Sequence, residues 1–237
     1  MRMPHRVSRA LLASALVLAL VLAGCRPRAL KSMKDAHQQG RYGEVADRAV
    51  DCDAGDDRCN QMHLLKGDAC YVLGRRAEAA ERDSTARVRF ECADTHLGIG
   101  IEQTEADAVD WAVAGKDRTQ WYTNRAESLR QLQDLQSGDA ARTISKQLLD
   151  FGQAFREVDP KTAAPYFYVA TARYALVQPQ LIDAQPGDTD VCDELNGIRT
   201  VLDDAPSGAG TPSDIQDNVE SLRRQINSQR LRLNCAP

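Results

Sequence analysis

No window of the 237-residue chain alternates apolar and polar residues over more than about five positions. This excludes half-buried strands and leaves helix-period patterns as the recurrent signal, so the fold class expected is all-α. No two cysteines have C-x-x-C spacing, and the four histidines form neither H-x-x-x-H nor H-E-x-x-H; zinc and thioredoxin-type redox sites therefore have no sequence basis. A G-x-S-x-G elbow, a phosphate loop and a paired set of catalytic acids are also missing, and "GIGIEQ" from Gly98 lacks the third glycine and the preceding strand of a dinucleotide loop. The expectation is a protein that is not an enzyme and carries no cofactor or metal.

A long hydrophobic run is lacking too. The one apolar segment, Ala10 to Ala23, is some 14 residues, short of the ~20 a membrane-spanning helix needs. It follows Arg2, Arg6 and Arg9 with no acid among them, which is the order of an export signal. Its end, Leu22-Ala23-Gly24-Cys25, closely resembles the lipobox of bacterial lipoproteins. The resemblance implies a signal peptide over 1–24, cleavage before Cys25 and lipidation of the Cys25 sulfur. In that family an aspartate after the cysteine usually retains the protein in the inner membrane; Arg26 stands here, which implies the periplasmic face of the outer membrane. Two or more acyl chains on Cys25 would attach the chain stably, at about 0.8 kcal/mol per buried methylene.

Without residues 1–24 the chain holds 27 basic and 34 acidic residues, a net charge of about −7. That sign argues against nucleic acid as a partner. Six cysteines remain besides Cys25, an even number in an exported chain, and disulfides are expected. Cys192 and Cys235 fall at one end of a C-terminal helical hairpin and should pair; Cys52 and Cys59 have only six residues between them and should pair next. The remaining two, Cys70 and Cys92, would then join. A continuous helix through 76–90 would instead set those two at opposite ends of a hairpin and favour Cys59 with Cys92 and Cys52 with Cys70, so both pairings stand.

"QGRYGEVADRA" around Gly40 and "LGRRAEAAERD" around Gly74 place two glycines 34 residues apart. Gly67-Asp68-Ala69, Tyr71, Leu73-Gly74-Arg75 and Glu78-Ala79-Ala80, with "VDPKTAAPYFYVATARYAL" from Val158, resemble the tetratricopeptide repeat. The resemblance implies a solenoid of helical hairpins over 25–177, with units near Arg26, Asn60, Asp94, Leu129 and Ala163 and a turn at Gly74. "LGIG" at 97–100, the early turn "AGKD" at 114–117, Trp111 and Trp121 depart from the pattern. The positions that line the repeat's ligand groove fall on Gln61, Leu64, Asp68, Tyr71 and Val72 in one unit, and on Ala164, Phe167, Thr171, Tyr174 and Ala175 in another. They would capture a protein partner in the cell envelope.

Beyond Ala175 the repeat pattern stops. Pro179, Pro186 and Gly187 mark a loop over 178–189. Val191, Leu195, Ile198 and Leu202 then form one apolar stripe, and Ile215, Val219, Leu222, Ile226 and Leu233 a second after a capping-box start at Ser213, predicting an antiparallel helix pair over 190–237. His37, His63 and His96 read as surface or hairpin residues. The acidic stretch Asp51 to Asp57 faintly resembles a calcium loop, but its glycine is one place early and Met62 stands at the bidentate position, so a solvated turn is expected. The functional expectation is an envelope scaffold that binds protein; the alternatives are a structural lipoprotein with no ligand groove, or a peptidoglycan-acting enzyme or its accessory subunit.

Overall fold

The computed structural model describes residues 29–52, 57–107, 111–207 and 213–236. Among these residues there are nine α-helices and no strand. They are α1 (29–38), α2 (Tyr42–Ala46), α3 (Asp57–Glu78), α4 (Asp83–Asp107), α5 (Arg118–Asp134), α6 (Gly138–Val158), α7 (Ala164–Val177), α8 (Thr189–Asp203) and α9 (Ser213–Arg232), with one 3-10 turn at Gln180–Ile182. From α2 onward each helix packs on the next, and α3, α5, α7 and α9 also touch in sequence. The result is a chain of neighbours with a main core that runs from Leu30 to Leu233 and a smaller cluster of Ala77, Ala86, Phe90 and Leu132.

Three helices end in the same way. After α1, α3 and α9 the chain passes through a left-handed residue, Gly40, Glu81 or Asn234. The next residue's N–H then reaches back to close the helix: Arg41 to the Ala36 carbonyl, Arg82 to that of Ala77, and Cys235 to that of Arg230. These are Schellman caps, which satisfy the orphan carbonyls of the last turn. At the opposite end of a helix, Asp117 begins α5 with a reciprocal capping box to Gln120.

The cap at Glu81 corrects two expectations. The turn between α3 and α4 falls at 79–82, so Gly74 lies within α3, and the predicted unit starts at Asp94 and Leu129 fall inside α4 and α5. With 22 and 25 residues, α3 and α4 exceed the ~17 that half a 34-residue repeat allows. The 34-residue spacing of Gly40 and Gly74 therefore joins two unlike environments: a turn at one, a tight helix contact at the other.

That turn also sets the cysteine pairing. Cys70 and Cys92 are about equally far from it and so face each other across the hairpin, with Cα atoms 5.9 Å apart in a disulfide. The helix through 76–90 that would have separated them does not form. Cys52 pairs with Cys59 and Cys192 with Cys235, as their spacing suggests.

Down the same hairpin, large residues meet glycines reciprocally. A methyl on Gly67 would lie 2.6 Å from Leu97 Cγ, and one on Gly100 would lie 2.9 Å from Leu64. Gly74 likewise admits the Phe90 ring. "LGIG", a departure from the repeat pattern, is thus a contact that mates α4 to α3. At the other end of the chain, every residue of the two predicted C-terminal stripes is buried, and α8 packs on α9.

Candidate functional site

Three polar clusters and one cleft stand out from the apolar interior. Asp68 is 1% exposed and accepts three hydrogen bonds of 2.7 Å, from His37 Nε2, Lys116 Nζ and Asn124 Nδ2. These partners come from α1, the 111–117 turn and α5. Burial would raise the Asp68 carboxyl, but the hydrogen bond from His37 and the charge and hydrogen bond of Lys116 outweigh it and hold it below the usual carboxylate range. Lys116 also lies 5.7 Å from the Trp121 ring centre, and the buried Trp121 indole donates to the Trp111 carbonyl. The two tryptophans that the repeat pattern does not require serve to seat this turn on α5.

Glu127, on the same helix, receives Arg130 through Nε and Nη2 at 2.9 and 2.8 Å, Gln131 at 3.0 Å, and Arg75 and the Tyr168 hydroxyl at 3.3 Å. Burial works against its ionisation, yet Arg130 and Gln131 hold the carboxyl low. Beyond it, Arg130 Nη1 donates to Asp134 at 2.8 Å. Both clusters are built as internal crosslinks: every charge in them is matched by a neighbouring group of the chain.

In the third cluster His63 and His96 face each other between α3 and α4, Nδ1 to Nδ1 at 2.8 Å. Burial and the nearby Lys66 charge lower both, His96 to about 4. His37 and His63 are buried and His96 is half-buried; of the surface or hairpin placement expected from the sequence, His63 and His96 take the hairpin one, between α3 and α4. Among the described residues no group of three or more His, Cys, Asp or Glu is placed to hold a metal ion. The calcium-like reading of Asp51 to Asp57 falls on 53–56, which lie outside the described residues.

The predicted groove residues are not brought together on a surface. Leu64 is fully buried against Gly100, and Asp68 is consumed by its cluster. Phe167 packs on Tyr168 with ring centres 5.2 Å apart. The Tyr174 hydroxyl is bound by Gln225 from α9 at 3.1 Å. Leu64, Asp68, Phe167 and Tyr174 thus belong to the interior, because α3 and α7 have neighbours on the side that the repeat leaves open. Gln61, Tyr71, Val72 and Thr171 are half-buried; Tyr71 leans on Phe90, with burial and the Glu127 charge raising its hydroxyl to about 12. Ala164 is buried, whereas Ala175 borders the cleft.

The cleft has a volume of about 780 Å³ and is formed by helix ends: the last turn of α5, the first two turns of α6, the last turn of α7 and the 3-10 turn. Gln133 and Asp134 come from the first of these, Gln136 from the connection that follows it, and Asp139 and Arg142 from the second. Sequence reasoning missed it, since a groove between termini has no periodic signature. The available signal was the break at Ser137-Gly138, where Gly138 takes φ +59° between two helical stretches. Comparison with known proteins finds no match: no family model, no curated protein and no solved structure matches the chain.

Proposed function

We propose that the protein is a bacterial lipoprotein, tethered through Cys25 at the periplasmic face of the outer membrane, whose helical array captures a protein partner in the envelope. The observation that carries the tether is Leu22-Ala23-Gly24-Cys25 at the end of an arginine-led apolar run. It is supported by the cysteine pairing: the other six cysteines bond among themselves, and none takes the Cys25 sulfur. A scaffold role is supported by the sequential helix-on-helix packing, the arrangement by which helical repeat proteins build extended binding surfaces. In this reading the partner sits at the α5–α7 helix ends, and the tetratricopeptide-like solenoid survives as a plan of stacked hairpins without a fixed 34-residue period.

Expression in a Gram-negative cell with radiolabelled palmitate tests the tether. Label should enter the intact protein and sediment with outer membranes, and Cys25→Ser should abolish both. A soluble or unlabelled wild-type protein overturns the reading. A photo-crosslinking residue placed at Gln178, at the cleft, should then give a discrete envelope adduct that one at exposed Val88 does not.

A further inference from the structure

Two rungs join α3 to α4 along one seam. His63 precedes Cys70 by seven residues and His96 follows Cys92 by four, so on each helix the histidine and the cysteine share a face. Counted outward from the turn at 79–82, the disulfide comes first and the histidines next. Cys59, a further turn out on α3, is bonded to Cys52. No disulfide therefore ties α3 to α4 beyond Cys70–Cys92, and the outer arms are held by packing and by the histidine rung.

That rung closes on a single proton. The Nδ1 atoms are 2.8 Å apart and the ring centres 5.0 Å apart, so the two nitrogens lie between the rings, each aimed at the other. One ring donates its N–H and the other accepts it. A first added proton can enter at the donor's outer Nε2 and leave the bond in place, now charge-assisted. A second has only the accepting Nδ1 to go to. Two N–H groups would then point head-on at each other, each on a cation, across a gap that fits one hydrogen.

The surroundings offer nothing to offset that second charge. Burial, then the Lys66 charge, disfavours protonation of both rings, and for His96 the charge of His63 adds to these. Lys66 donates to the Arg48 carbonyl at 2.7 Å, a partner that leaves its charge in place. The acids on the neighbouring elements are already engaged: Asp94 with Arg125 of α5 at 3.0 Å, Glu91 with Arg87 along α4, Glu44 with Arg41 and Arg48, and Asp47 with Arg89.

We infer that His63 and His96 form an acid-operated latch, which stays closed with no added proton or one and opens on the second, parting the outer arms of the α3–α4 hairpin while Cys70–Cys92 keeps the inner part shut. The disulfide acts as the fulcrum. The outer contacts that must yield, Leu64 on Gly100 and Leu97 on Gly67, are packing contacts with no polar bond across them. The latch is a property of the hairpin and does not depend on how the chain is tethered.

The test follows the full chain in detergent micelles at pH 7, 5.5 and 4. In histidine labelled with nitrogen-15, scalar coupling through the hydrogen bond should link the two Nδ1 nuclei at pH 7 and vanish at pH 4. Amide hydrogen exchange, divided by the intrinsic rate at each pH, should show protection over 57–66 and 96–107 falling at least about tenfold between pH 5.5 and pH 4, with 70–92 changing by less than about twofold. His96→Gln can still bond to His63 yet takes up no proton, so its outer arms should keep their protection at pH 4; His63→Gln is the mirror variant and serves if the first does not fold. Absence of the coupling at pH 7, protection retained at pH 4, a loss spread evenly over 57–107, or the same loss in the glutamine variant overturns the inference.

Discussion

His63 and His96 are two bases that share a small buried space, and only one proton can sit on the short line between their Nδ1 atoms. Both have folded values below the ordinary 6.5. An unfolded chain therefore takes up protons below pH 6.5 that the folded chain refuses. Stability is complete above pH 6.5 and declines as pH falls towards about 4, the value of folded His96. The urea midpoint is expected to be lower at pH 5 than at pH 7, and His96→Gln should flatten the difference; an equal slope in the variant would assign the pH dependence to other groups. Asp68 and Glu127 act lower on the scale, since both are held below their ordinary carboxylate values. None of these partnerships is legible from spacing along the chain: Asp68 meets residues 31, 48 and 56 positions away.

Between elements, the closest approach rests on glycine. Gly67→Ala would put a methyl 2.6 Å from Leu97 Cγ and 2.8 Å from the Leu97 backbone nitrogen, so α3 and α4 must separate. Alanine gains about 1 kcal/mol in helix propensity, but overpacking of this kind costs ~1–3 kcal/mol. A net loss in urea stability is expected. Gly43→Ala, where nothing lies within 4 Å of the added methyl, should be neutral or stabilising and serves as the control. The small residues that suggested a repeat do mark close helix contacts. What the pattern misassigned is their partners: Gly74 serves an intra-hairpin contact with Phe90, because the chain turns at Glu81 and not before.

For the molecule as a whole, Cys192–Cys235 closes the end of the array, joining the first turn of α8 to the third residue past α9. Its 43-residue separation implies about 3–4 kcal/mol on the chain-entropy model. A Cys192→Ser, Cys235→Ser double variant should lose about that much in urea stability, while buried Leu195, Ile198 and Ile226 still hold the two helices together. The helical class, the loop near 178–189, both C-terminal stripes and this bridge were legible, because each depends on 3.6-residue periodicity or on proximity along the chain. The cleft was not, since it is assembled from the ends of three helices and the 3-10 turn.

The sequence by itself determined that the chain is helical, where α8 and α9 bury their apolar stripes, and that Cys25 stands apart from six cysteines able to pair. Only the tertiary structure decided which faces of α3 and α7 are enclosed, which partners neutralise Asp68 and Glu127, and where a groove remains open. Periodicity tells a helix which side is apolar, but α7 is apolar nearly all round and α3 carries small residues on several sides. Their exposed face is whatever their neighbours leave uncovered, a quantity set by turn positions and helix lengths summed over the whole array.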